Sequence, residues 1–142
     1  MKWTAQLDSL WRRLFPERTL SQRGERAAAW YLRLRGYRIL ARNARWKGGE
    51  LDIVALRRGV LIFVEVRTRL SDTPVRPAAT VDLHKQQRVA RAALSFLKHY
   101  GALDTPCRLD VIGVTWPEGR WFPRIEHIPG AFEAPDRGGF YS

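Results

Sequence analysis

Hydrophobic and polar positions divide the chain into stretches of helical spacing and stretches of strand-like alternation. Trp3, Leu7, Leu10, Trp11 and Leu14 recur at helical spacing, so residues 1–18 read as an amino-terminal extension with a short amphipathic helix that stops before Pro16. Residues 21–35 read as a helix capped by Ser21, with Gly36 beyond its end. Its apolar face holds Ala28, Tyr31 and Leu32, while Arg23, Arg26 and Arg33 fall on a separate stripe. Tyr37–Ala41 reads as a strand. After Gly48-Gly49, a turn before the next strand, Leu51–Leu56 and Val60–Thr68 are clearer strands joined at Arg58-Gly59. Pro74 and Pro77 mark a loop. A second helix starting at Thr80 or Asp82 and ending at Tyr100 places Val89, Ala93, Phe96, Leu97 and Tyr100 on one face. Leu109–Trp116 is a further strand, and Arg124–Ile128 a short edge strand between Pro123 and Pro129.

Ile53–Ala55 and Ile62–Val66 are apolar on both faces, which marks central strands covered by helices on each side. The expectation is a three-layer α/β domain over residues 19–129, a central mixed sheet flanked by helices, followed by a loose tail at 130–142 rich in Gly, Pro and charge.

Composition narrows the function classes. A chain of 142 residues with 45% apolar content suits one domain with a core of its own. The single cysteine, Cys107, excludes an internal disulfide and fits a reducing, cytoplasmic compartment. No run of ~18 apolar residues exists to span a membrane, and Asp8, Arg12 and Arg13 interrupt any secretory signal core. Net charge is +11, and residues 10–50 hold eleven Lys or Arg against Glu17, Glu25 and Glu50. Such a field attracts polyanions, nucleic acid foremost, through salt-dependent counterion release. An anionic membrane surface and plain solubility are the other accounts of the same charge, and residues 3–14 are the candidate contact for a membrane surface or a partner protein.

The strongest chemical signal is Glu50, Asp52, Glu65 and Arg67. Alternation puts Glu50 and Asp52 on one face of their strand, and Glu65 and Arg67 on one face of theirs. With Arg58-Gly59 as a two-residue turn, Asp52 falls opposite Glu65 and Glu50 opposite Arg67. Two carboxylates directly opposite, roughly 5 Å apart, are mutually destabilising. Either a cation compensates or one acid is protonated with a raised pKa. Hard divalent ions such as Mg²⁺ take such oxygen ligands together with water and substrate phosphate. The alternative is an ordinary ion-pair network with the neighbouring arginines.

Gly49-Glu50-Leu51-Asp52-Ile53-Val54, the hairpin, and Phe63-Val64-Glu65-Val66-Arg67-Thr68-Arg69 together resemble the YraN-like family, small bacterial proteins of endonuclease-like fold. More distantly the pattern is similar to archaeal Holliday-junction resolvases and the wider PD-(D/E)xK nuclease superfamily. The likeness extends from Gly24-Glu25 through Gly36-Tyr37 and Asn43 to Lys85 and Arg108-Leu109-Asp110-Val111, covering about residues 20–116. It implies a restriction-endonuclease-like fold, Asp52 and Glu65 as ligands of Mg²⁺ or Mn²⁺, and Glu25 as a helix carboxylate near the metal. It also implies a catalytic lysine at position 67, where this chain has Arg67. Arginine stays protonated and cannot act as a general base, although its fork can hold a phosphate or stabilise developing charge.

Other residues carry weaker signals. Arg23, Arg26, Arg33, Lys85 and Arg88 are candidate nucleic-acid contacts, with a solvated helix face as the alternative. His84, His99 and His127 lack ligand spacing, and no cysteine cluster exists, so zinc is not expected. Trp30 and Trp116 suit packing better than base stacking, and Asp110 suits a structural hydrogen-bonding role. Three functional readings follow: a metal-dependent endonuclease on structured or branched DNA, a nucleic-acid-binding module that has lost the chemistry, and a protein-interaction scaffold.

Overall fold

The computed structural model describes residues 2–14, 19–70, 81–117 and 121–135. Along the chain run α1 (Lys2–Leu14), α2 (Leu20–Leu34), β1 (Arg38–Trp46), β2 (Gly49–Arg57), β3 (Val60–Arg69), α3 (Leu83–His99), β4 (Cys107–Thr115) and β5 (Arg124–Phe132). The loop around Pro74 and Pro77, the early helix start at Thr80 and the last seven residues of the expected tail lie outside the described residues.

The five strands form one mixed sheet in the order β1-β2-β3-β4-β5. Only β3 and β4 pair in parallel, and α3 lies in the crossover between them. Alternation sorts the strands' side chains onto two faces. Ile53, Ala55, Ile62, Val64, Ile112 and Val114 pack with Ala28, Ala29 and Leu32 of α2. Val54, Leu61, Phe63 and Leu109 pack with Val89, Ala92, Ala93 and Leu97 of α3. These two cores make the three layers, as the doubly apolar strands require.

Several boundaries differ from expectation. Thr19, not Ser21, caps α2: its hydroxyl accepts from Gln22 N at 3.2 Å while Gln22 Oε1 accepts from Thr19 N at 3.0 Å. A threonine followed three residues later by glutamine satisfies two end donors reciprocally, which a lone serine two residues further in does not. β1 runs on to Trp46, well past Ala41, because its second half keeps pairing with β2. β5 continues through Pro129 to Phe132, as an edge strand allows. In α1 the side chains of Leu7, Leu10 and Leu14 are exposed.

Glycine sets how closely the layers meet at one end of the sheet. A Cβ on Gly24 would lie 1.8 Å from Thr68 Oγ1, so only glycine lets α2 come this close to β3. The next residue in the helix is Glu25, which is buried as a result. On the opposite face a Cβ on Gly48 would lie 1.9 Å from Ser95 Oγ, and Trp46 Nε1 donates to that same hydroxyl at 3.0 Å. The β1–β2 turn is thereby seated on α3, directly beside the acidic residues.

Candidate active site

The β2–β3 hairpin turns at Arg58 and Gly59, with φ of 50° and 78°, the left-handed pair that matches strand twist. Pairing runs from Arg57↔Val60 to Ile53↔Val64. That register, continued one step, would set Asp52 against Glu65, as the sequence implies. The ladder stops just short of it. Asp52 Oδ2 accepts from Val66 N at 2.9 Å, so a side chain replaces the backbone acceptor there. Strict alternation breaks at the same place, for Leu51 packs in the same core as Val54.

The Asp52 and Glu65 carboxyls are close enough for each to act on the other's titration. Burial and the Asp52 charge push Glu65 up to about 7, although Lys85 partly offsets them. Burial is also the main cause that raises Asp52, against the Val66 N–H, Glu65 and Lys85, which lower it. Glu25 is raised by burial and by the Asp52 charge, with Arg42 opposing. Burial and the Asp52 charge thus disfavour ionisation of both Glu65 on β3 and Glu25 on α2. A hard cation would relieve this. The donor set suits one: Asp52 and Glu65 present carboxylate oxygens, and a Mg²⁺ or Mn²⁺ ion would complete its shell with water and phosphate. Among the described residues no group of three or more His, Cys, Asp and Glu stands ready-made around one metal position. The fit is to two protein ligands.

Two cations reach Glu65. Lys85 Nζ lies 3.2 Å from Glu65 Oε1 and Arg67 Nη1 lies 3.8 Å from the same atom. Lys85 sits in the first turn of α3, where its backbone N–H donates to the N-cap Asp82 at 2.8 Å. From the sequence, Lys85 ranks only as a phosphate contact. Its helical phase held the missing signal, since Lys85 precedes the buried Val89 by four and Ala92 by seven positions. A cation in phase with an apolar face points inward.

The expected Glu50–Arg67 pair does not form. Glu50 Oε1 instead lies 3.5 Å from Arg45 Nη2. The β1–β2 ladder holds Arg45 directly opposite Glu50, whereas the β2–β3 ladder has already ended before Glu50 and Arg67 could meet.

A cleft of about 510 Å³ opens over Asp52 and Glu65, with Lys85 inside it and Arg45, Arg88 and Arg91 on its walls. Of the basic residues singled out from sequence, the fold brings Lys85 and Arg88 to this cleft. Arg26 and Arg33 lie outside it, exposed on α2. Arg23 stands at another place, with its guanidinium 4.6 Å from the centroid of the Trp116 ring.

Asp110 lies apart from the cleft in a satisfied network. Arg108 donates to both of its oxygens at 2.8 and 2.9 Å, Gly130 N donates to Oδ1 at 2.9 Å, and His127 Nε2 is 2.7 Å from Oδ2. Burial alone would raise this carboxyl, but these partners outweigh it and hold the pKa below the ordinary aspartate value. Asp110 ties β4 to β5 beside their register shift, a structural role.

The fold and this acid cluster define a three-layer α/β protein of endonuclease-like architecture, with its carboxyls gathered where the β2–β3 ladder ends. The model of the uncharacterised protein family UPF0102 matches residues 24–114. A UPF0102 protein of Rhodopirellula baltica is 42% identical over 125 residues, covering 86% of this chain and 75% of that protein. Another from Symbiobacterium thermophilum is 44% identical over 118 residues, covering 82% and 98%. One from Geobacter sulfurreducens is 47% identical over 116 residues, covering 80% and 88%. The chain belongs to UPF0102, the YraN-like family.

Proposed function

We propose that the protein is a metal-dependent nuclease that hydrolyses phosphodiester bonds in structured or branched DNA, with Asp52 and Glu65 as the metal ligands. The observation that carries this reading is the Lys85–Glu65 contact at 3.2 Å, beside Asp52, inside an arginine-walled cleft. It puts an ammonium among the acids although position 67 is arginine. Bound there, Mg²⁺ would supply Lewis-acid polarisation of a phosphate oxygen and lower the pKa of water. Lys85 donates to oxygen that gains negative charge as water attacks phosphorus and one P–O ester bond breaks. Asp52 and Glu65, both ionised once an ion sits between them, would hold it and orient the water beside it, whose proton passes to solvent as it attacks. Arg45, Arg88 and Arg91 hold flanking phosphates by charge and hydrogen bonds.

Arg67 favours a second reading, in which the cleft binds nucleic acid without cutting it. One comparison separates the two: wild type, Asp52→Asn, Lys85→Ala and Arg67→Ala on branched DNA with Mg²⁺, Mn²⁺ or EDTA. The nuclease reading expects metal-dependent cleavage that Asp52→Asn abolishes and Lys85→Ala lowers by about a hundredfold or more. Arg67→Ala should cost far less. Binding without cleavage by the wild type would establish the second reading instead.

A further inference from the structure

At the far end of β3 from its hairpin, arginines and aromatic rings gather without a role in the acid cluster. Trp121 and Phe122, in the connection between β4 and β5, are 93% and 84% exposed. Two adjacent large rings left this open are unusual for a surface that meets only water. With Pro117, Pro123 and Arg124 they line a hollow of about 480 Å³. Trp116 starts the same connection; its N–H donates to Arg69 O at 3.0 Å and its ring carries the Arg23 guanidinium.

The sheet links this place to the acids. Glu65, Arg67 and Arg69 follow one another along one face of β3. Arg69 pairs with Thr115, and Thr115 with Arg124, so two cations stand in one row across three strands. Glu126 stands one row back, opposite Gly113. From Glu65 to Arg69 is about 13 Å along the strand, at roughly 3.3 Å per residue. A backbone whose scissile phosphate lay at Asp52 and Glu65 would pass Arg67 and Arg69 and, about 10 Å further across β4 to β5, bring bases a few nucleotides from the cleavage point to Arg124, Trp121 and Phe122.

We propose that Trp121 and Phe122, flanked by Arg69 and Arg124, form a stacking platform for unpaired bases of the strand held in the cleft. The proposal rests on the nuclease reading and narrows it to substrates with single-stranded nucleotides beside the cleavage point. Exposed rings suit this task because every base has a π-face, and arginines along the path to the rings attract the backbone that carries the bases. Charge favours nucleic acid over a protein partner, since among the described residues the linings of this hollow and of the neighbouring one at Ser21, Arg67 and Arg69 include arginines and no carboxylate.

The test measures binding of the full-length protein, in EDTA, to duplexes with a single-stranded flap, to the same flaps with abasic sugars, and to blunt duplex. Wild type should bind the base-bearing flap at least about tenfold more tightly than the abasic flap. Trp121→Ala with Phe122→Ala should remove that difference and leave blunt-duplex affinity unchanged, while Trp121→Tyr with Phe122→Tyr should restore it. Equal affinity for base-bearing and abasic flaps would overturn the platform but leave the nuclease reading standing. No binding to any of these DNAs would remove both. Sedimentation of the free protein supplies a further check: self-association abolished by the double alanine variant, without base preference, would assign the rings to a protein interface.

Discussion

Lys85 Nζ lies 3.2 Å from Glu65 Oε1, which joins the first turn of α3 to the middle of β3 across the face that α3 covers. The pair carries a consequence for titration. Lys85 lowers a carboxyl that burial and Asp52 push up to about 7. Replacing Lys85 with alanine should therefore move the Glu65 midpoint higher still in the metal-free protein. Carboxyl carbon NMR reads this directly, and an unmoved midpoint would mean that the contact does not form in solution.

Glu65 also links pH to stability. Its folded pKa of about 7 stands above the unfolded value of about 4.3, so within that window the folded state binds more protons than the unfolded one. Its contribution to stability is then present at acid pH and lost as pH rises through 7. Glu65→Gln should be more stable than wild type near pH 8 in EDTA, with the gap closing by about pH 4. Denaturant midpoints across pH measure it; a gap that widens in acid would contradict the raised pKa.

Asp110 has the opposite sign. Its pKa is held below the unfolded value of about 3.9, so its contribution is present above that pH and fades as pH falls through the folded pKa. Asp110→Asn strands Arg108 and His127 beside a neutral group. The expected cost is about 2 kcal/mol or more near neutral pH, discounted because Arg108 is partly exposed. Thermal melts of the two proteins should begin to converge only below about pH 4 and meet once the pH is under the lowered folded pKa of Asp110.

Gly24 tests how the helix is seated. Gly24→Ala drives a methyl into Thr68 Oγ1, and the expected cost is about 1–3 kcal/mol. Thr68→Ala removes the nearest atom and should recover part of that loss in the double variant. Strict additivity of the two substitutions would show that α2 shifts as a whole instead.

Arg67→Lys should change metal-dependent cleavage by less than threefold or so, because Lys85 already supplies an ammonium to Glu65 and lysine keeps the charge of arginine. A gain of an order of magnitude or more would make position 67 the one that governs chemistry.

Much of the molecule was legible in the residue order because strands and helices have fixed local periods. Alternation marked Ile53–Ala55 and Ile62–Val66 as doubly covered, and the Arg58-Gly59 turn set the hairpin register that brings Asp52 to Glu65. Glu25, two residues beyond Arg23 on α2, was legible only through the family resemblance. What the tertiary structure alone decided is which partner each charge takes. Glu50 meets Arg45 instead of Arg67 because the β2–β3 ladder ends early, at the point where Asp52 accepts from Val66 N. Lys85 reaches Glu65 because packing of Val89, Ala92 and Leu97 against Leu61 and Phe63 seats α3 over β3. Local periods act between near neighbours in the chain, whereas an ion pair is won by whichever cation comes a few ångströms closer, and that distance is set by how distant elements dock.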